Sequence, residues 1–115
     1  KIIVITEYDD VLINNHILST RFLGIKSSDS LPLSLLTAII ISNDFKIQRD
    51  LNSIGTTMAG VNNETLLKLQ VPQLYKNEVI VFDKKYHSLV IQLSYLRRKI
   101  NFLKKAKEKL LQKYF

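Results

Sequence analysis

The chain has 115 residues, and its 17 Lys and Arg side chains against 10 Asp and Glu give a formal net charge of +7. This length corresponds to one domain. The composition is 46% hydrophobic with three glycines and two prolines, which excludes a disordered or low-complexity chain. The absence of cysteine excludes a disulfide framework and thiolate metal sites, and it favours a reducing compartment.

The cellular setting follows from what the sequence lacks. No apolar run approaches the roughly 18 residues of a membrane span, and no secretory signal opens the chain. We therefore expect a cytoplasmic protein that does not enter a membrane. Because the chain starts on Lys1 and lacks an initiator Met, we also expect it to be a processed or excised piece of a longer protein.

Residues 1–75 show a mixed pattern of short strands and helices. Runs rich in Ile and Val predict strands over Lys1–Tyr8, Val11–Asn14 and Ile17–Ile25. Helical patterns follow over Leu33–Ile41, directly after Pro32, and then over Asp44–Ile54 and Glu64–Leu69. The sequence thus predicts an α/β (α+β) fold: a small strand-and-helix domain over residues 1–75, then one long helix over residues 76–115.

The last part of the chain holds both the apolar periodicity and the positive charge. Residues 79–115 contain 10 basic and 2 acidic side chains, whereas residues 1–78 contain 7 and 8. Apolar residues recur at alternating spacings of three and four, the heptad pattern of a coiled-coil helix. This heptad seam comprises Val79, Phe82, Tyr86, Leu89, Leu93, Leu96, Ile100, Leu103, Lys107, Leu110 and Tyr114, with Lys107 its single polar member. Such a helix, roughly 55 Å long at about 1.5 Å per residue, needs a second long helix, either from another copy or from the parent chain.

Catalytic and metal-binding patterns are weak in this sequence. Asp83 and His87 are four residues apart, which favours a surface pair on one helix face over a metal site. None of the common nucleophile, phosphate-loop, zinc or dinucleotide motifs is present. We therefore expect no catalytic residues, no metal and no cofactor, and a small independent enzyme is the least favoured reading.

Two sets of residues are candidates for contact with DNA. The basic cluster Arg97, Arg98 and Lys99 lies on the long helix and suits phosphate binding. The polar loop Gly55–Asn63 offers hydrogen-bonding side chains of the kind that contact phosphates and base edges. The loop candidates are Thr56, Thr57, Asn62 and Asn63, and Lys46 and Arg49 are weaker phosphate candidates.

The order of these features resembles the specificity (S) subunit of type I restriction–modification systems. The matching elements are the loop Gly55–Asn62, then Leu66 and Leu69, the Val71-Pro72 step, and a long helix that ends in Leu103–Phe115. The opening Tyr8–Ile13 also resembles a strand of that family's recognition domains. This chain departs from the family in lacking a second proline after Pro72 and in showing only Asn77-Glu78 where Glu-Gln is common.

The resemblance implies a non-catalytic DNA-reading subunit. Residues 1–75 would be the C-terminal part of a target recognition domain, which binds one half of a bipartite DNA site. The long helix would be the spacer, which pairs with another helix and docks adenine methyltransferase (modification) subunits; a restriction/translocase subunit is a further implied partner. The alternative from the residues alone is a structural coiled-coil assembly protein with no role at nucleic acid.

Overall fold

The computed structural model describes residues 2–9, 23–52 and 63–115. Four helices lie in these ranges: α1 (Leu33–Ile41), α2 (Asn43–Asn52), α3 (Asn63–Lys68) and α4 (Lys76–Tyr114). The predicted helix Leu33–Ile41 has the same bounds as α1, and α4 begins at Lys76, the first residue of the predicted long helix. The described part of the chain is thus dominated by one 39-residue helix.

The α/β fold class predicted from the sequence is wrong for the described residues. About 70% of them are helical, and none belongs to a strand. Ile2–Ile5 have strong β propensity, but no described segment pairs with them, and propensity alone does not form a strand without such a neighbour. Residues 23–25 of the third predicted strand also lack regular structure, whereas Val11–Asn14 and residues 17–22 lie outside the described residues.

The chain divides into two compact units, and α4 contributes residues to both. The first, which we call the core unit, is Ile17–His87. The second is Lys1–His16 together with Ser88–Phe115, and we call it the clamp unit because side-chain bonds join its two segments. Neither unit ends at residue 75, the predicted boundary between recognition domain and spacer. The boundary at residue 75 separates two expected functions, not two compact units, and it stays a prediction.

The core unit packs three helices and the first turns of α4 around a small apolar centre. Its buried side chains are Leu35 and Ile39 of α1, Phe45 of α2 and Val79 of α4. The hydroxyl of Ser34 donates to Asp83 Oδ1 at 2.6 Å and so ties α1 to α4. Partly buried apolar side chains complete this centre: Leu31, Ile40, Leu66, Leu69 and Phe82.

Side chains close the helix ends within the core unit. Ser42 lies between α1 and α2, and its hydroxyl accepts the Phe45 amide at 3.2 Å, as an N-cap residue does. Glu78 accepts the backbone amide of Tyr75 at 3.0 Å, which is half of a capping box at the start of α4. These caps explain why α2 begins one residue before the predicted Asp44 and why α4 begins at Lys76.

We predict that Ile39→Ala lowers the free energy of unfolding by about 2–4 kcal/mol, the range for removing a buried aliphatic side chain. Ile39 is 8% exposed, whereas Ile41 in the same helix is 65% exposed. The matched variant Ile41→Ala should therefore change stability by less than about 0.5 kcal/mol. Urea denaturation followed by circular dichroism measures both values, and equal losses would contradict this core assignment.

Candidate helix-pairing and nucleic-acid interface

The heptad seam of α4 has two different environments. In the core unit Val79 is buried and Phe82 packs against the apolar centre, so this end of the seam is already covered. In the clamp unit the seam is open to solvent, and its apolar side chains are between 42% and 67% exposed. We call this part the free seam: Leu89, Leu93, Leu96, Ile100, Leu103, Lys107, Leu110 and Tyr114.

The free seam is too large and too regular to be ordinary surface. Single exposed apolar side chains are common on soluble proteins, but a contiguous apolar strip usually marks an interface. Near its end Leu103, Leu110 and Tyr114 line a shallow apolar depression with Leu111 and Phe115. The predicted pairing residues Leu89 to Leu110 therefore lie together on one accessible face, while Phe82 and Tyr86 belong to the core unit.

A second face of α4 binds the N-terminal residues of the chain. Val90 and Ser94 are buried, and Arg97 is half-buried; their spacing of four and three places them on one side of the helix. The Arg97 guanidinium pairs with Asp9 Oδ1 and also donates to the Val4 carbonyl at 2.8 Å. We call this arrangement of Val4, Thr6, Asp9, Ser94 and Arg97 the clamp.

No buried polar side-chain atom of the clamp lacks a hydrogen-bond partner. The Ser94 hydroxyl donates to Asp9 Oδ2, so the Thr6 hydroxyl must be the donor in its own bond to Ser94. The Thr6 amide donates to Asp9 Oδ2 at 2.9 Å, and the Asp9 amide donates back to the Thr6 carbonyl at 3.0 Å. Next to these bonds the rings of Tyr8 and Tyr95 stack with centroids 5.4 Å apart. The clamp therefore orders residues 4–9 on the helix.

The environment of Asp9 keeps it ionised. Burial acts to raise the pKa of Asp9, but the hydrogen bonds from Ser94, Thr6 and Arg97 and the positive charge of Arg97 together outweigh it. The resulting pKa is lower than that of an ordinary aspartate. Asp9 is thus held as a structural carboxylate, and with Ser94 fully buried the group has no access for a substrate.

The three residues of the predicted basic cluster have different surroundings. Arg97 belongs to the clamp, so its charge is already used within the chain. Arg98 and Lys99 are exposed on α4, as are Lys104 and Lys105 one to two turns further on. The structure therefore separates Arg97 from the residues that a phosphate backbone can reach.

Lys46 and Arg49 lie on α2 and not on α4. Lys46 is exposed on α2, and the Arg49 guanidinium contacts the neighbouring Asp50 carboxylate at 3.0 Å. Thr56, Thr57 and Asn62 lie outside the described residues. Asn63 is the first residue of α3.

The Asp83–His87 pair forms, as expected for residues one turn apart, with 3.6 Å between Oδ1 and Nδ1. Asp83 is also the acceptor for Ser34, so its carboxylate links two helices. Within residues 2–9, 23–52 and 63–115 no group of three His, Asp or Glu side chains is placed to hold a metal ion. No helix in the same ranges is long and apolar enough to cross a membrane.

The sequence pattern alone does not identify Thr6, Asp9 and Ser94 as a group. Two signals mark them in retrospect. Thr6 and Asp9 have the spacing of a capping box, and Ser94 is a small polar residue between the apolar Leu93 and Tyr95. Only the fold shows that these two signals belong to one contact.

Removing the Asp9 carboxylate should destabilise the clamp unit. We predict that Asp9→Ala lowers the free energy of unfolding by about 3 kcal/mol, because it leaves the half-buried Arg97 without its counter-charge. The control Asp29→Ala removes an exposed carboxylate and should change stability by less than about 0.5 kcal/mol. Urea denaturation followed by circular dichroism compares the two, and a loss for Asp9→Ala as small as the control's would contradict the clamp.

The lowered pKa of Asp9 also predicts a pH dependence. A carboxylate with a lower pKa in the folded state stabilises the fold above its unfolded-state pKa, about 3.9. That contribution disappears as the pH falls through the lower folded-state pKa. Acid titration of folded stability should therefore show a loss below about pH 4 that is smaller in Asp9→Asn. An identical acid profile in the two proteins would show that Asp9 makes no such contribution.

Comparison with known proteins finds no relative of this chain. No protein-family model matches the chain, and neither a curated protein nor a solved structure is significantly similar to it.

Proposed function

We propose that this chain is a non-catalytic DNA-recognition subunit in which α4 is the spacer helix, as in the specificity subunits of type I restriction–modification systems that its sequence resembles. The observation that carries the proposal is the free seam, an accessible apolar strip along a continuous basic helix. In this function the helix binds a second helix along the seam. Its basic side chains lie beside DNA or beside the methyltransferase subunits that modify adenine.

The heptad positions divide the basic side chains of α4 between these two tasks. Arg98 and Lys105 lie opposite the seam, and Lys109 lies on the same outer side. We call these three residues the outer face. They stay accessible when a helix covers the seam, so they are the side chains best placed for phosphate contact.

The proposal assigns residues 1–75 to the C-terminal part of a recognition domain in a cytoplasmic complex. The loop residues Thr56, Thr57, Asn62 and Asn63 remain the proposed DNA contacts, with Lys46 and Arg49 as weaker candidates for phosphate contact. Adenine methyltransferase subunits, and a restriction/translocase subunit beyond them, are the proposed protein partners. In this proposal the chain needs no cofactor of its own, because the chemistry belongs to those subunits.

Duplex DNA binding tests the proposal directly. We expect a fluorescein-labelled duplex to bind the chain at low salt, with a logarithmic salt slope of about −0.9 for each phosphate neutralised. The double variant Arg98→Gln with Lys105→Gln should bind more weakly and reduce the slope by about two. Fluorescence anisotropy over a series of salt concentrations measures both quantities.

A control variant removes the same charge elsewhere. Lys26→Gln with Lys68→Gln lowers the net charge equally but leaves α4 unchanged, so it should keep most of the salt slope. If both double variants lose the same amount, the positive charge acts as a whole and the outer face has no special part. If the unaltered chain shows no salt-dependent binding, the DNA function is refuted.

The second candidate, a coiled-coil assembly protein, is favoured by the same free seam, which does not by itself require DNA. The two functions differ in one observable. An assembly protein pairs through the seam and does not bind the labelled duplex, whereas a recognition subunit does both.

A further inference from the structure

The charge along the free seam indicates what kind of helix covers it. Residues 84–107 contain eight basic side chains and no Asp or Glu, although non-seam positions of paired helices usually carry both signs. Lys99, Lys104 and Lys113 occupy the positions that flank the seam, and all three are exposed. We propose that the free seam binds an acidic amphipathic helix of a different sequence, whose carboxylates face these three lysines. This inference rests on the pairing role proposed above and adds the chemistry of the partner.

A parallel pair of two identical chains would bring like charges together. In a parallel pair, the residue that immediately precedes the first seam residue of each heptad faces the residue five places further along the partner helix. Lys99 of each chain would face Lys104 of the other, and Lys107 would face Lys107 inside the seam. Such contacts destabilise the pair and become weaker only at high salt.

An antiparallel pair over the free seam gives no better match. In that orientation Lys104 lies opposite Arg97, whose charge is already paired with Asp9, and Lys113 lies opposite Gln92, so neither lysine gains a carboxylate. Glu108 cannot pair with these lysines, because it lies at a heptad position that points away from the seam. Neither orientation therefore supplies an opposite-charge pair along the free seam.

One other antiparallel register would place Asp83 opposite Lys104 and Glu78 opposite Lys113. That register requires Val79 and Phe82 as seam residues, and both are already packed in the core unit. The carboxylates at the start of α4 are therefore not available to a second copy of the free seam.

The described part of this chain also lacks a segment that covers the seam from within. The next longest described helix, α2, has ten residues, against the 26 residues from Leu89 to Tyr114. DNA is a poor occupant because an apolar strip has no complement on a phosphate backbone. An amphipathic helix with leucines toward the seam and carboxylates at its edges satisfies both the apolar and the charged residues.

Three designed peptides test the proposal against the full chain. All carry Leu or Ile at the seam positions, and they differ only in having Glu, Gln or Lys at the flanking positions. We expect the Glu peptide to bind about tenfold more tightly than the Gln peptide, since each exposed ion pair adds about a twofold gain. The Lys peptide should bind most weakly, and rising salt should reduce the advantage of the Glu peptide.

Charge reversal supplies the matched controls. Lys99→Glu with Lys104→Glu should shift the preference toward the Lys peptide. Lys105→Glu with Lys109→Glu makes the same change in net charge on the outer face and should retain the preference for Glu. A peptide with the composition of the Glu peptide in scrambled order should not bind, because it presents no apolar strip.

Two results would overturn the proposal. One is equal affinity for the Glu and Gln peptides, or for the Glu and scrambled peptides. The other is self-association of the chain, measured by sedimentation, that is tighter than its binding of the Glu peptide. Because these assays contain no DNA, their outcome is independent of the duplex-binding test, and either proposal can fail without the other.

Discussion

The buried ion pair between Asp9 and Arg97 determines which faces of the long helix remain accessible. By holding residues 4–9 against Ser94 and Arg97, it commits one side of α4 to the chain itself. The adjacent apolar seam is left open from Leu89 onward. One side of α4 is thus covered while its apolar seam is exposed, and the pairing proposed above would bury that seam.

The clamp and the seam also divide the basic side chains of α4 into groups. The net charge of the whole chain does not show this division. Arg97 neutralises a buried carboxylate and contributes nothing to an outside partner. Lys99, Lys104 and Lys113 border the seam, whereas Arg98, Lys105 and Lys109 lie away from it. The basic side chains of α4 therefore fall into three groups: one in a buried ion pair, one beside the seam and one on the opposite side of the helix.

Sequence periodicity predicted the helices well because helical contacts are local. Pro32 marked the start of α1, and the absence of Gly and Pro allowed both ends of the long helix to be placed within one residue. The strand prediction for Lys1–Tyr8 was wrong, since strand formation depends on a neighbour that propensity cannot supply. The clamp was missed for a related reason: Asp9 and Ser94 are 85 residues apart, and nothing local connects them. The seam residues were identified, but their division between the core unit and the open face depended on packing.

The separation between the clamp residues has a consequence for biosynthesis. Val4 and Arg97 are 93 residues apart, so the N-terminal segment leaves the ribosome about 5–20 s before the helix that holds it, at ordinary rates of chain growth. During that interval the β-prone residues 2–5 are already synthesised, but the Ser94 and Arg97 side chains that hold residues 4–9 are not. A short β-prone apolar segment without a partner is an aggregation hazard. Each new chain is therefore prone to aggregate until the long helix is complete and the clamp can form.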